Sequence, residues 1–183
     1  RSHAGRVIRG GGGRYACHAA VVGVQVEHEP GLHLIHTRVV FTRFVNHLKE
    51  IYGDPETLNR EWGLTYWSHR STDFSQLWRP DGNSFPQYDL AWRRFQASLT
   101  TDFIGWQASI VREYAREVQF VTTCISYERP TVEDDALTRA LDVTAGNPYY
   151  RMQDALALPN TDEAPQYWTS SGAWTIVATG DRV

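Results

Sequence analysis

Glu27, His28, Glu29, His33 and His36 crowd into one short stretch of the chain, and each can donate a proton, accept one or ligate a metal. Glu27 and Glu29 are two apart, so they share a face if the backbone there is extended, where two carboxylates raise each other's proton affinity. A carboxyl that keeps its proton near neutral pH suits a general acid. Pairing with a buried arginine, or capping of a helix that starts near Leu32, would account for the same residues without catalysis, and position alone does not separate these readings. His33 and His36 are three apart. Zinc needs three or four convergent ligands, and His-x-x-His without the His-Glu-x-x-His arrangement is a weak signal, so no metal is expected. Cys124 is a candidate nucleophile, but among Val121, Thr122, Thr123 and Ile125 a buried inert thiol fits better.

The elements that must position these groups follow from periodicity. Val21-Val22-Gly23-Val24-Gln25-Val26 is a β-branched run of the kind found in a buried parallel strand, and it delivers Glu27 to Gly31 at its C-terminal end. In residues 40–52, Phe41, Phe44, Val45, Leu48 and Tyr52 recur at steps of three and four, predicting one helix face. Gly53 stops that helix; Asp54 then N-caps a short one with Pro55 at its first position. A long polar excursion follows Trp62-Gly63, with its turn at Pro80-Asp81-Gly82-Asn83. Phe95, Leu99, Phe103, Trp106, Ile110 and Tyr114 predict a second long helix. Residues 118–125 read as a strand, 133–140 as a short helix, 142–145 as a third strand and 166–178 as a closing helix. Strands alternating with helices imply parallel pairing by right-handed crossovers, which fits part of a (β/α) barrel or a small doubly wound domain equally well.

The chain has 183 residues with a net charge of -3, no apolar run approaching about 18 residues and no basic surplus, so neither a membrane span nor a nucleic-acid partner is expected. Two cysteines, Cys17 and Cys124, are too few and too far apart for a disulfide framework, which fits a reducing compartment. The start, Arg1-Ser2-His3, carries no initiator methionine and no apolar signal segment, and the chain reads as a slice of something longer. Gly10 to Gly13 lie inside a stretch that otherwise reads as a helix. They lack the Gly-Lys-Ser/Thr or Gly-x-Gly-x-x-Gly context of a phosphate loop, and each costs about 1 kcal/mol against alanine, so fraying is expected there. Seven tryptophans and nine tyrosines are unusual, and such rings serve cores or stack on sugars.

Three blocks carry a family resemblance: Val24-Gln25-Val26-Glu27-His28-Glu29-Pro30-Gly31, then Leu58-Asn59-Arg60-Glu61-Trp62-Gly63-Leu64-Thr65-Tyr66-Trp67-Ser68-His69, then Asp89-Leu90-Ala91-Trp92-Arg93-Arg94-Phe95-Gln96. In order and spacing the chain resembles glycoside hydrolase family 42, the β-galactosidases, over nearly its whole length. The resemblance implies an α/β fold, part of a (β/α)8 TIM barrel covering helix 3 to helix 6, with strand four at Val21, strand five at Val118 and strand six at Asp142. It implies a retaining hydrolase of β-linked galactose that needs no cofactor, cytoplasmic and trimeric when complete.

The family's Asn-Glu pair at the end of strand four maps onto His28 and Glu29, with Glu29 as acid/base. His28 stands where the amide normally bonds the sugar's 2-hydroxyl. Trp67 resembles the tryptophan that family trimers present to a neighbouring active site, and Asn147-Pro148-Tyr149 the segment whose tyrosine approaches the nucleophile. That nucleophile belongs to strand seven, beyond Val183, so residues 1–183 by themselves are expected to be inactive and, with exposed strand edges, poorly soluble. Residues 32–41 contain no cysteine, so the zinc cluster found in many members is not expected. The rival reading is a non-catalytic carbohydrate-binding or scaffold remnant of a glycosidase; a related retaining glycosidase with another sugar preference is a third.

Overall fold

A 27-residue helix, α4 (Pro86–Arg112), runs through two separate cores; the computed structural model describes residues 1–80, 85–126, 129–147 and 175–178. Before it come α1 (Ser2–Tyr15), β1 (Gly23–His28), α2 (Arg38–Tyr52) and α3 (Pro55–Glu61); after it come β2 (Phe120–Ser126), α5 (Asp134–Ala140), β3 (Val143–Asn147) and β4 (Thr175–Ala178). At 1.5 Å per residue α4 is roughly 40 Å long, enough to serve both ends of the molecule.

The N-terminal half of α4 buries Tyr88, Trp92 and Phe95 against Phe44 and Leu48 of α2, Leu58 of α3, and Trp62, Leu64, Phe74 and Leu77 from the excursion. Phe44 meets Trp92 edge-on at 5.0 Å and Phe95 at 5.4 Å, so the rings interlock as well as bury area. Tyr88 donates its hydroxyl proton to the Trp78 carbonyl, and burial pushes that phenol's pKa well above its usual range. Much of the aromatic surplus is therefore core. The excursion is ordered by polar contacts too: Asn59 and the Ser71 backbone exchange hydrogen bonds at 2.7 and 2.9 Å, and Asp73 with Gln76 forms a capping box. Asp54 accepts from the Thr57 N–H, the expected cap, which holds its carboxyl below the usual range.

The C-terminal half of α4 packs Ile104, Ala108 and Val111 on Val26 of β1, Val121 of β2, and Leu137 and Leu141 around α5. The sheet order is β1-β2-β3-β4. The first two pairings are parallel, as the strand and helix alternation predicts; β3 and β4 are antiparallel. The expectation of a closing helix over residues 166–178 is corrected at its end: Thr175 to Ala178 form a strand, and 166–174 lie outside the described residues. Thr175, Ile176 and Val177 are β-branched, lose χ1 freedom in a helix, and find a partner in β3.

The glycine tract does not break α1, which is continuous from Ser2 to Tyr15. Its tertiary contact explains one glycine. A Cβ on Gly12 would sit 2.9 Å from the Tyr114 ring, whereas nothing lies within 4 Å of Gly10 or Gly11. The helix is anchored against the end of α4 at its start, by Arg1 over the Trp106 ring at 5.7 Å, and at its middle, by Arg9 on Glu113 at 3.2 Å. Gly10→Ala is expected to slow amide exchange across residues 9–13, by the roughly 1 kcal/mol that separates glycine from alanine in a helix. Gly12→Ala is expected to speed it, through collision with Tyr114. Equal effects of the two substitutions, read by hydrogen exchange, would contradict this packing.

Candidate active site

β1 pairs with β2 in regular register from Gly23 to Gln25, then slips, so that His28 rather than Glu27 aligns opposite Cys124. The slip is accompanied by left-handed backbone at Glu27 (φ 61°) and Glu29 (φ 47°), a conformation that costs a non-glycine residue about 1–3 kcal/mol and that clusters at functional sites. This overturns the expectation that Glu27 and Glu29 share a face. Strict alternation fails at a bulge, and the two carboxylates go to different elements. Glu27 accepts from the Gln107 amide of α4 at 3.2 Å. Glu29, one residue past the end of β1, donates its backbone N–H to the Cys124 carbonyl at 2.8 Å, and its carboxylate takes a hydrogen bond from Arg129 Nη2 at 2.8 Å.

The Glu29–Arg129 pair is mostly removed from water, with side-chain exposures of 19% and 10%. Of the alternatives open in the sequence, pairing with a buried arginine is therefore realised for Glu29. Arg129 itself was not singled out by the sequence reading; the available signal was a cation just beyond the C-terminal end of the neighbouring strand, where side chains from successive strands converge. A close fit holds the two segments together. Gly31 has φ +78°, and a Cβ there would lie 2.7 Å from Thr131 Oγ1 and 3.1 Å from the Thr131 carbonyl.

His28 is exposed, and its Nδ1 lies 3.2 Å from Gln25 Nε2, which also donates to the Glu27 carbonyl at 3.0 Å. With the amide donating, Nδ1 accepts and the imidazole carries its proton on Nε2. His33 is exposed and His36 packs against the Trp92 ring at 5.8 Å; among the described residues no three or more His, Cys, Asp or Glu are grouped to hold a metal. The loop that follows Glu29 is tied down by Ile35, whose N–H donates to Gln96 of α4 at 2.6 Å, and by Arg79 on the His36 carbonyl at 2.7 Å. Trp67 lies in the 3-10 turn Tyr66–Ser68, but its side chain is outside the described residues, as is all of Tyr149. Cys124 is buried, and its thiol pKa is raised by burial and by the nearby Glu29 charge, so it is an inert thiol rather than a nucleophile at neutral pH.

The family model of glycoside hydrolase 42, described as beta-galactosidase, matches residues 1–171. The chain belongs to this family. Among curated relatives, Beta-galactosidase BgaA of Thermus sp is 29% identical over 167 residues, which are 87% of this chain and 26% of that protein. Beta-galactosidase BgaA of Clostridium cellulovorans is 32% identical over 113 residues, 60% of this chain and 17% of that protein. Two solved structures are similar: the beta-galactosidase from Rahnella sp. R3, at 28% identity and TM-score 0.73, and that of the haloarchaeon Halorubrum lacusprofundi, at 27% and 0.69. These alignments cover 84% and 81% of this chain but 23% of either solved chain. The family 42 chain thus spans about a quarter or less of the relatives it matches. Between the two architectures left open by the alternation, the likeness decides for part of a TIM barrel.

The site leads to two expectations. In the native protein a thiol reagent should modify exposed Cys17 and spare Cys124 until denaturant is added, and rapid native labelling at Cys124 would contradict its burial. Gly31→Ala should lower the thermal midpoint, because left-handed backbone and the contact with Thr131 both penalise a Cβ; an unchanged midpoint would mean that the two segments are not locked together.

Proposed function

We propose that these residues supply strands four to six of the catalytic barrel of a retaining β-galactosidase, with Glu29 as its acid/base. The observation that carries this reading is a shielded carboxylate at the C-terminal mouth of a parallel strand, just past a bulge, and the resemblance of the surrounding block to the family's acid/base segment supports it. It is supported by family membership and by relatives named as beta-galactosidases. The substrate is a terminal β-linked galactose. Retention needs a second carboxylate about 5–5.5 Å from the first. Glu27, hydrogen-bonded to Gln107, is turned away from that duty, so the nucleophile is assigned to strand seven, outside these residues.

The chemistry divides into two half-reactions. First, the nucleophile's oxygen bonds the anomeric carbon as the glycosidic C–O bond breaks, and the departing oxygen takes the proton from Glu29. Second, a water oxygen bonds the anomeric carbon, the sugar–nucleophile bond breaks with its electron pair returning to the nucleophile, and Glu29 accepts the water's proton. His28, with its proton on Nε2, provides a ring N–H donor where the family has an amide, and so keeps the polarity of a 2-hydroxyl contact. That feature weighs for an enzyme against a non-catalytic remnant. Trp67 is proposed to stack on sugar in a neighbouring subunit of a homotrimer, and Tyr149 to approach the nucleophile. A cytoplasmic location is part of the same reading; among the described residues no helix is long and apolar enough to cross a membrane.

In the complete enzyme, Glu29→Gln should lower kcat/KM for galactosides with poor leaving groups by about 10²–10⁴-fold. Retention of activity would remove Glu29 from its role. The isolated 183-residue chain should not turn over a nitrophenyl galactoside, and turnover abolished by Glu29→Gln would refute the assignment of the nucleophile to a later strand.

A further inference from the structure

We propose that Arg129 is a positioning residue that holds Glu29 as an oriented carboxylate, and so serves the half of the cycle in which Glu29 acts as a base. The proposal rests on the reading of Glu29 as acid/base. Arg129 comes from the segment after β2, donates through Nη2 to Glu29 at 2.8 Å, and is 10% exposed. Its Nε is buried with no hydrogen-bond partner, and it has no other ion pair among the described residues. Among the described residues no other carboxylate pairs with the guanidinium, and the fit of Gly31 against Thr131 fixes the spacing of the two segments.

The direction of the effect follows from charge. Departure of the leaving group requires a proton on Glu29, and a cation in contact opposes that proton. Once the proton has left with the aglycone, Glu29 is ionised and the ion pair is at full strength, so Arg129 then aims the carboxylate that must receive the water's proton, a gain in orientation that outweighs the basicity the cation takes from it. As the water oxygen bonds the anomeric carbon and the nucleophile recovers its electron pair, Glu29 becomes neutral again, ready for the next substrate. Arg129 is therefore tuned to the second half-reaction.

The test uses the complete enzyme with dinitrophenyl β-galactoside, whose leaving group departs without an acid, so that hydrolysis of the glycosyl-enzyme limits kcat. Arg129→Gln should lower kcat about tenfold and KM by a similar factor, leaving kcat/KM within about twofold, because that ratio reports only the first half-reaction. Arg129→Lys, which keeps the charge, should restore kcat to within about threefold of wild type. Arg129→Met keeps the aliphatic bulk, loses the charge and should repeat the glutamine result, so it serves if Arg129→Gln does not fold. An unchanged kcat, or a kcat/KM that falls as far as kcat, would overturn the proposal, since a purely structural role would damage both half-reactions. A separate arm tests the premise. With the same substrate, Glu29→Ala should be rescued by azide with formation of galactosyl azide; no rescue means that Glu29 is not the acid/base. Rescue of Glu29→Ala together with wild-type kinetics in Arg129→Gln and Arg129→Met would reject Arg129 alone.

Discussion

The arrangement depends on one helix being buried twice. Tyr88, Trp92 and Phe95 of α4 lie in an aromatic core with α2, α3 and the excursion, while Ile104, Ala108 and Val111 lie under the sheet. The larger of these side chains contribute roughly 1.5–3 kcal/mol each by leaving water, so both halves of α4 are held by burial, against different partners. The excursion is thereby fixed to the barrel wall. Gln96, between the two cores, accepts the Ile35 N–H and turns the helix into the anchor for the loop that follows Glu29.

The site depends on a break in regularity. In a continuous strand, Glu27 and Glu29 would lie together; the slip in register after Gln25 sends one to α4 and the other to Arg129. A bulge at the mouth of a strand re-aims a side chain without moving the strand body, whose Val26 stays in the core. Burial and direction are thus set independently between Val26 of β1 and Glu29 just beyond it.

What could be read beforehand divides along the same line. The helices around Phe44 and Phe95 and the strands at Val24 and Val121 were legible because burial imposes a period on the sequence. The Asp54 cap was legible because its chemistry is local. Glu29 could be singled out by its place after a strand, and the role proposed for it comes from family resemblance. The bulge was not legible, since alternation is assumed until a structure breaks it. Arg129 was hidden because a pair separated by 100 positions leaves no local pattern, and the continuity of α1 because tertiary contact with Tyr114 overrides glycine's propensity. The strand at Thr175 was misread because a short β-branched run next to helical spacing is ambiguous without its partner β3.

Two of the bonds that secure Glu29 are of different kinds. Its backbone N–H is held by the carbonyl of Cys124, a group every amino acid possesses, so substitution at position 124 can alter the thiol and leave that attachment in place. Its carboxylate is held by a guanidinium that only arginine provides. The place of Glu29 is therefore written in the main chain and tolerant of sequence drift, while the pairing of its carboxylate with Arg129 depends on a side chain. Within one scaffold, position and pairing are free to evolve separately.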